Sequence, residues 1–171
     1  MVQKNAPISG LYDHIGYWLD RLRGAVHTRF ERRLASHGVT VSQWTVLVTL
    51  YHGRAERVRD IARVAHMDGG AVTRLADRLE AHKFIKRVPD PEDGRSVLLK
   101  LTDQGRDLVP ALAAAADATD EQFFGVLSDQ EVAQLRRLMT KLLTAANDTP
   151  DKNWSSAPLR RKSFKNNYGN G

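Results

Sequence analysis

The sequence predicts a mainly α-helical protein in which a helix-turn-helix and a short β-hairpin lie between long amphipathic helices, and three observations carry that expectation. Apolar residues recur at helical spacing from Leu11 to about Ser36, from Leu108 to Phe123 and from Val132 to Leu142, the period of one face of a helix. The stretch from Arg57 to Glu80 divides into two short helical repeats about the corner His66-Met67. Directly after it, the strand-like runs Phe84-Ile-Lys-Arg-Val88 and Val97-Leu-Leu-Lys-Leu101 flank Pro89-Asp-Pro-Glu-Asp-Gly-Arg-Ser96, a segment rich in turn formers.

Taken in order, the first helix is expected to run unbroken from Leu11 to about Ser36 with Ile15, Trp18, Leu19, Leu22, Val26, Phe30 and Leu34 on its apolar stripe. Arg21, Arg23, Arg29, Glu31, Arg32 and Arg33 form its solvated side. His37-Gly38 stops it, the glycine supplying a left-handed cap. Thr40 or Ser42 caps a second helix holding Trp44, Leu47, Val48, Leu50 and Tyr51, which ends near His52-Gly53. In the third helix Val58, Ile61, Ala62 and Ala65 share a face, and small Ala62 sits where another helix would cross closely. Asp68 is placed to cap the fourth, whose Val72, Leu75, Ala76 and Leu79 point inward. Gly69, Gly70, Ala71, Thr73, Arg74, Asp77 and Arg78 are left facing out. Past the hairpin, Thr102 caps a helix with an alanine-rich middle, Ala111 to Ala118, and Ser128-Asp-Gln-Glu131 reads as a capping box for a last helix starting near Asp129. Residues 148–171 lose all periodicity and read as a disordered basic tail, in which Arg160, Arg161, Lys162 and Lys165 lie among Trp154, Phe164 and Tyr168. A nucleic-acid-contacting arm and a merely solvated tail both fit that composition.

An exposed helical face that begins with small residues and continues with a hydroxyl and arginines suits the major groove of DNA, where arginine pairs bidentately with guanine. Taken alone, the two helices also fit an ordinary corner of an all-α protein. The hairpin that follows makes the motif a winged helix, its charged tip reaching beside the groove the second helix enters. The runs Val72-Thr-Arg-Leu, Leu79-Glu, Pro89-Asp-Pro-Glu-Asp-Gly-Arg-Ser96 and Leu101-Thr-Asp-Gln-Gly105 closely resemble the MarR (multiple antibiotic resistance regulator) family of bacterial transcription factors. The wing carries that family's Asp-x-Arg signature as Asp93-Gly94-Arg95, and the likeness extends in element order from about Leu11 to about Ala146. Two positions depart from it: His66 and Lys83 stand where the family usually has glycine, which costs on the order of 1–2 kcal/mol each if the backbone there keeps a positive φ.

The resemblance implies residues 1–147 as one regulator unit, with 39–101 as a DNA-binding lobe and 11–36 and 102–147 as dimerisation helices interlocked across a two-fold axis. The sequence supports a partner independently, because three long apolar stripes around so small a motif exceed what one subunit can bury; an intramolecular bundle is the alternative. On the wing, Arg95 is expected to enter the minor groove, and Asp93, which DNA repels, to orient an arginine, either Arg95 or Arg74. His14, Trp18 and Arg21 lie on one shoulder of the first stripe, an imidazole, an indole and a guanidinium that would suit an aromatic acid. The resemblance implies such effectors, small aromatic carboxylic acids or their CoA thioesters, and Trp44 is the second-helix residue expected to face them. Core packing for both tryptophans, with His14 and Arg21 at surface or interface, is the competing reading.

Composition excludes several alternatives. There is no cysteine, hence no disulfide, zinc–thiolate site or thiol-based sensing. No apolar run approaches a membrane span or signal peptide, so a cytoplasmic protein with no membrane partner is expected. A formal charge of +6 favours a polyanion. No nucleophile elbow or phosphate loop is present, and the six histidines show no i,i+4 pair, so neither catalysis, a cofactor nor a metal site is expected. The function expected from all this is a homodimeric repressor that leaves a palindromic operator on double-stranded DNA when an effector binds. A constitutive architectural DNA-binding protein is the alternative, and a small helical enzyme or metal-binding protein the reading from another class.

Overall fold

The computed structural model describes residues 8–148. A 3-10 turn, Leu11–Asp13, precedes α1 (Ile15–Ala35), α2 (Val41–Tyr51), α3 (Val58–Ala65), α4 (Gly69–Ala81), β1 (Ile85–Pro89), β2 (Val97–Leu101), α5 (Asp103–Phe124) and α6 (Asp129–Ala145). The chain divides into two compact units, up to Ala113 and from Ala114 onward. The expected tail lies, from residue 149, outside the described residues.

In the first unit the strands pair antiparallel from Ile85–Leu101 to Pro89–Val97. The segment before α3 adds to β2 through an Arg57–Leu98 bridge and a Leu99 N–H to Glu56 carbonyl bond of 2.9 Å. Leu34, Val46, Leu47, Ile61, Val72, Ala76, Leu79, Ile85, Leu99 and Leu112 fill the core between helices and hairpin. Ala62 of α3 is buried.

Local chemistry explains the boundaries. Thr40 is the cap of α2, its hydroxyl accepting from Gln43 N at 3.2 Å while Gln43 Oε1 accepts from Thr40 N at 2.9 Å, so the choice left open with Ser42 falls on Thr40. Asp68 accepts from Gly70 N and Ala71 N at 2.9 and 3.0 Å, which turns the chain into α4 and holds its carboxyl below the ordinary range. Gly38 and Gly53 adopt φ of +67° and +62° beyond α1 and α2. His66 and Lys83 do the same work without being glycine, at φ of 50° and 60°.

One expectation is corrected. The first helix is not continuous from Leu11: His14 is extended (φ −96°, ψ 117°) and separates the 3-10 turn from α1. Asp13 accepts from Gly10 N at 2.8 Å, and the Trp18 indole donates to the Tyr12 carbonyl at 2.9 Å, so polar bonds hold the turn apart from the helix that periodicity alone extended through it.

Thr102 opens α5 as expected, and its hydroxyl accepts from Gly105 N at 3.0 Å while donating to the Lys83 carbonyl at 2.6 Å. A Cβ on Gly105 would lie 1.9 Å from the Phe84 carbonyl oxygen, so only glycine lets α5 start against the beginning of β1. In the second unit, Ser128 and Glu131 form the capping box of α6, with bonds of 3.3 and 2.7 Å, and the Ser128 backbone N–H and hydroxyl, both donating to Glu131 Oε2, lower the Glu131 carboxyl. None of α6 is buried, and Leu138, Met139, Leu142 and Leu143 stand exposed. Ile15, Trp18, Leu19 and Leu22 at the start of α1 are exposed as well. Among the described residues no helix is long and apolar enough to cross a membrane.

Candidate nucleic-acid interface

Packing of Val72, Ala76 and Leu79 into the core turns the other side of α4 outward. Gly69, Gly70, Thr73, Arg74 and Arg78 are exposed there, and Ala71 is half-buried. The glycines sit at the helix N-terminus, where the backbone N–H groups of Gly70 and Ala71 are already taken by Asp68 and the missing side chains leave room for close approach. Thr73 Oγ1 bonds back to the Gly69 carbonyl at 3.0 Å. Arg74 has only a loose approach to Asp68, 3.9 Å, and Arg78 has no ion-pair partner among the described residues. Asp77, on the same face, is drawn into a 2.6 Å pair with Arg87 of β1, which also binds Glu80. The Asp77 carboxylate beside the outward arginines is thereby neutralised from the wing side.

At the hairpin tip, Asp93, Gly94 and Arg95 are all exposed. Asp93 accepts from the Arg95 backbone N–H at 3.1 Å. Neither the Arg95 nor the Arg74 guanidinium is paired with Asp93 among the described residues. The aspartate shapes the turn that presents Arg95 and does not engage that guanidinium. A second aspartate, which sequence reasoning missed, anchors the loop: Asp90 is 3% exposed and accepts from Arg57 Nε at 2.6 Å and Glu92 N at 2.9 Å. Arg57 also reaches Glu92 at 3.2 Å. The Arg57 bond holds the Asp90 carboxyl below the ordinary range, and the same bond raises the Arg57 guanidinium. Lys100 of β2 pairs with Glu56 on the segment before α3. These pairs span up to 44 residues of chain, so no local spacing announces them. The only trace in the sequence is the density of charge in a run that reads as a turn.

The residues proposed for an effector are less gathered. His14 Nε2 lies 3.2 Å from Ser9 Oγ; Trp18 is bonded to the Tyr12 carbonyl; Arg21 donates to Tyr17 Oη at 3.0 Å and lies over its ring. Tyr12, Tyr17 and Trp18 form one aromatic cluster with ring centroids 5.3–5.9 Å apart, in which the two tyrosines were not anticipated. Trp44 stands edge-on to Phe30 at 6.3 Å. Phe30 follows Trp18 by twelve residues, about 18 Å of helix, so one protomer does not bring Trp44 to the other three. Among the described residues no three histidine or acidic side chains cluster to hold a metal ion.

A helix with an open, cation-bearing N-terminal face, set beside a hairpin whose tip carries an exposed arginine, defines the winged-helix class of DNA-binding protein. The model of the MarR family matches residues 39–97. The chain is 31% identical over 120 residues to the transcriptional repressor MdtR of Bacillus subtilis, covering 70% of this chain and 77% of that protein. In structure it is similar to CouR from Rhodococcus jostii bound to p-coumaroyl-CoA (TM-score 0.69, 31% identity, 79% of this chain and 95% of that one). It is similar also to a mutant of MarR from E. coli complexed with operator DNA (TM-score 0.72, 27% identity, 79% and 99%). The chain belongs to the MarR family of winged-helix transcriptional regulators.

Proposed function

We propose that the protein is a homodimeric repressor that binds a palindromic operator and releases it when a small aromatic carboxylic acid, or its CoA thioester, binds. The observation that carries the DNA reading is the pair of exposed cation sets, Arg74 and Arg78 on α4 and Arg95 at the wing tip. Gly69, Gly70, Ala71, Thr73, Arg74 and Arg78 enter the major groove from α4, while Asp93 and Gly94 shape the turn that puts Arg95 in the minor groove. Residues 39–101 are the DNA-binding lobe, and 11–36 with 102–147 are the dimerisation helices, for which the exposed apolar faces of α1 and α6 are the support. The protein acts as a regulator and not as an enzyme, in the compartment that holds the DNA.

The effector reading assigns His14, Trp18 and Arg21 to the ligand, with Trp44 contributed from elsewhere in the dimer; the aromatic–guanidinium cluster at the start of α1 and the p-coumaroyl-CoA bound to CouR support it. Release is then a coupling free energy between two sites, so the effector binds the DNA complex more weakly by the factor it weakens DNA binding. The test is a titration of hydroxybenzoates, hydroxycinnamates and their CoA thioesters against the protein with and without a duplex it selects from a randomised pool. Equal factors in the two directions, and a ten- to hundred-fold weaker ligand with Arg21→Ala, are expected from a lost charge-assisted hydrogen bond of about 1.5–3 kcal/mol. If no compound changes DNA affinity, the protein is instead a constitutive architectural DNA-binding protein, a reading favoured by the way Trp18, Tyr17 and Arg21 already satisfy one another.

A further inference from the structure

The tip of the wing has almost no apolar support. From Asp90 to Leu98 the one buried residue is Asp90, a carboxylate, and Val97 beside it is 45% exposed. What fixes this segment is polar: Asp90 N donates to the Ser96 carbonyl at 3.0 Å, Ser96 N to the Asp93 carbonyl at 2.8 Å, and the Asp90 side chain accepts from Glu92 N. Those bonds close the loop on itself. Among the described residues a single side chain, Arg57, ties the closed loop to the rest of the lobe, reaching Asp90 at 2.6 Å and Glu92 at 3.2 Å with different nitrogens of one guanidinium.

Arg57 is also out of place by local rules. It is the N-cap residue of α3 and makes no side-chain cap bond. Serine, threonine or aspartate there would satisfy a free N–H, whereas a cation stands against the positive end of the helix dipole. Its side chain serves the wing instead. The base of the hairpin has separate ties, Arg87 to Asp77 and Glu80 of α4 and Lys100 to Glu56, so the strands stay attached when the tip is freed.

We propose that Arg57 is a positioning residue for DNA binding: its guanidinium forks across Asp90 and Glu92 and sets where the wing tip holds Arg95 relative to α4. The fork matters because a guanidinium spans two carboxylates in a fixed plane, while an ammonium is a point charge on a flexible stem. This rests on the reading of Arg95 as a DNA contact.

The test compares Arg95→Ala, Arg57→Lys and the double variant for binding to a duplex the parent selects from a randomised pool, at one salt concentration. Arg57→Lys keeps the charge and with it the long-range attraction to DNA, and it retains a donor for Asp90, so the protein folds. Arg95→Ala is expected to weaken binding about ten-fold or more. Arg57→Lys should weaken it about three- to ten-fold and change nothing further in the Arg95→Ala background, since effects through a shared contact are not additive. Amide exchange at Glu92 and Asp93 should quicken in Arg57→Lys while exchange in α4 is unchanged. Parent-like binding or parent-like wing exchange in Arg57→Lys overturns the proposal, as does an undiminished loss in the double variant, which would make Arg57 a phosphate contact in its own right. An inert Arg95→Ala overturns the wing reading and this role together; an active Arg95→Ala with a silent Arg57→Lys overturns this role alone.

Discussion

Gly105 and Lys83 lie on either side of the same junction, and they show opposite ways a single position can be constrained. At Gly105 the constraint is space. With the Phe84 carbonyl oxygen 1.9 Å from where a Cβ would be, backbone must move to admit even a methyl group. Gly105→Ala should therefore cost about 3 kcal/mol in thermal or denaturant unfolding, at the upper end for overpacking, because the obstacle is main chain and not a rotatable side chain. At Lys83 the constraint is the φ of 60°. The clash of a Cβ with the carbonyl there, about 1–2 kcal/mol, exceeds the roughly 0.5–1 kcal/mol that glycine's unfolded-state freedom would cost. Lys83→Gly should raise stability by about 0.5–1 kcal/mol, and a loss on unfolding analysis would mean that its side chain has a role the fold conceals. Both positions stand out from the sequence only through the family pattern, since the need for a bare Cα is set by residues 21 places away at Gly105 and by a turn at Lys83.

At the scale of elements, the helix-turn-helix and hairpin were legible because their signals are local: the period of Ile61, Ala62, Val72 and Leu79, the Asp68 cap, and the turn formers between β1 and β2. The ties between elements were not. Asp90 looks like one more turn aspartate until Arg57, 33 residues earlier, is seen beside it. The link has a pH signature. The folded-state carboxyl of Asp90 is held below its ordinary value of 3.8 by the Arg57 bond. Its contribution is full above 3.8 and is lost as pH falls through the lower folded-state value, the guanidinium staying charged throughout. Protection of the Glu92 and Asp93 amides should accordingly persist on acidification to about the ordinary carboxyl value and fail below it, while Asp90→Asn, which has no such proton to gain, lacks that step. Base recognition, which we propose for α4, should separate from this behaviour. Arg74→Ala should narrow the affinity gap between a selected duplex and one with a substituted half-site by about 1–3 kcal/mol, and should leave the wing amides as they were.

For the whole molecule, the amphipathic stripes were legible but their use was not visible in any one of them. The stripe expected on α6 contains Val132 and Leu135, which are half-buried, and Leu138, Met139 and Leu142, which are exposed; the stripe of α1 is likewise buried at Leu34 and open from Ile15 to Leu22. An apolar residue left open by its own chain is either tolerated or covered by another, and a charge placed there distinguishes the two. Leu142 is 60% exposed, so in a protein that functions as a monomer Leu142→Glu belongs with ordinary surface substitutions, within about 0.5 kcal/mol of the parent. In a dimer that covers α6 it places an unpaired carboxylate in an apolar contact, at a cost of several kcal/mol that separation of the subunits relieves. Light scattering of the parent at micromolar concentration should give about twice the 19.2 kDa chain mass. Leu142→Glu should shift that mass toward one chain and make the melting temperature rise with protein concentration, the mass-action signature of a fold completed by association. A parent of one chain mass, or a variant that stays dimeric with an unchanged melt, would remove α6 from the subunit interface.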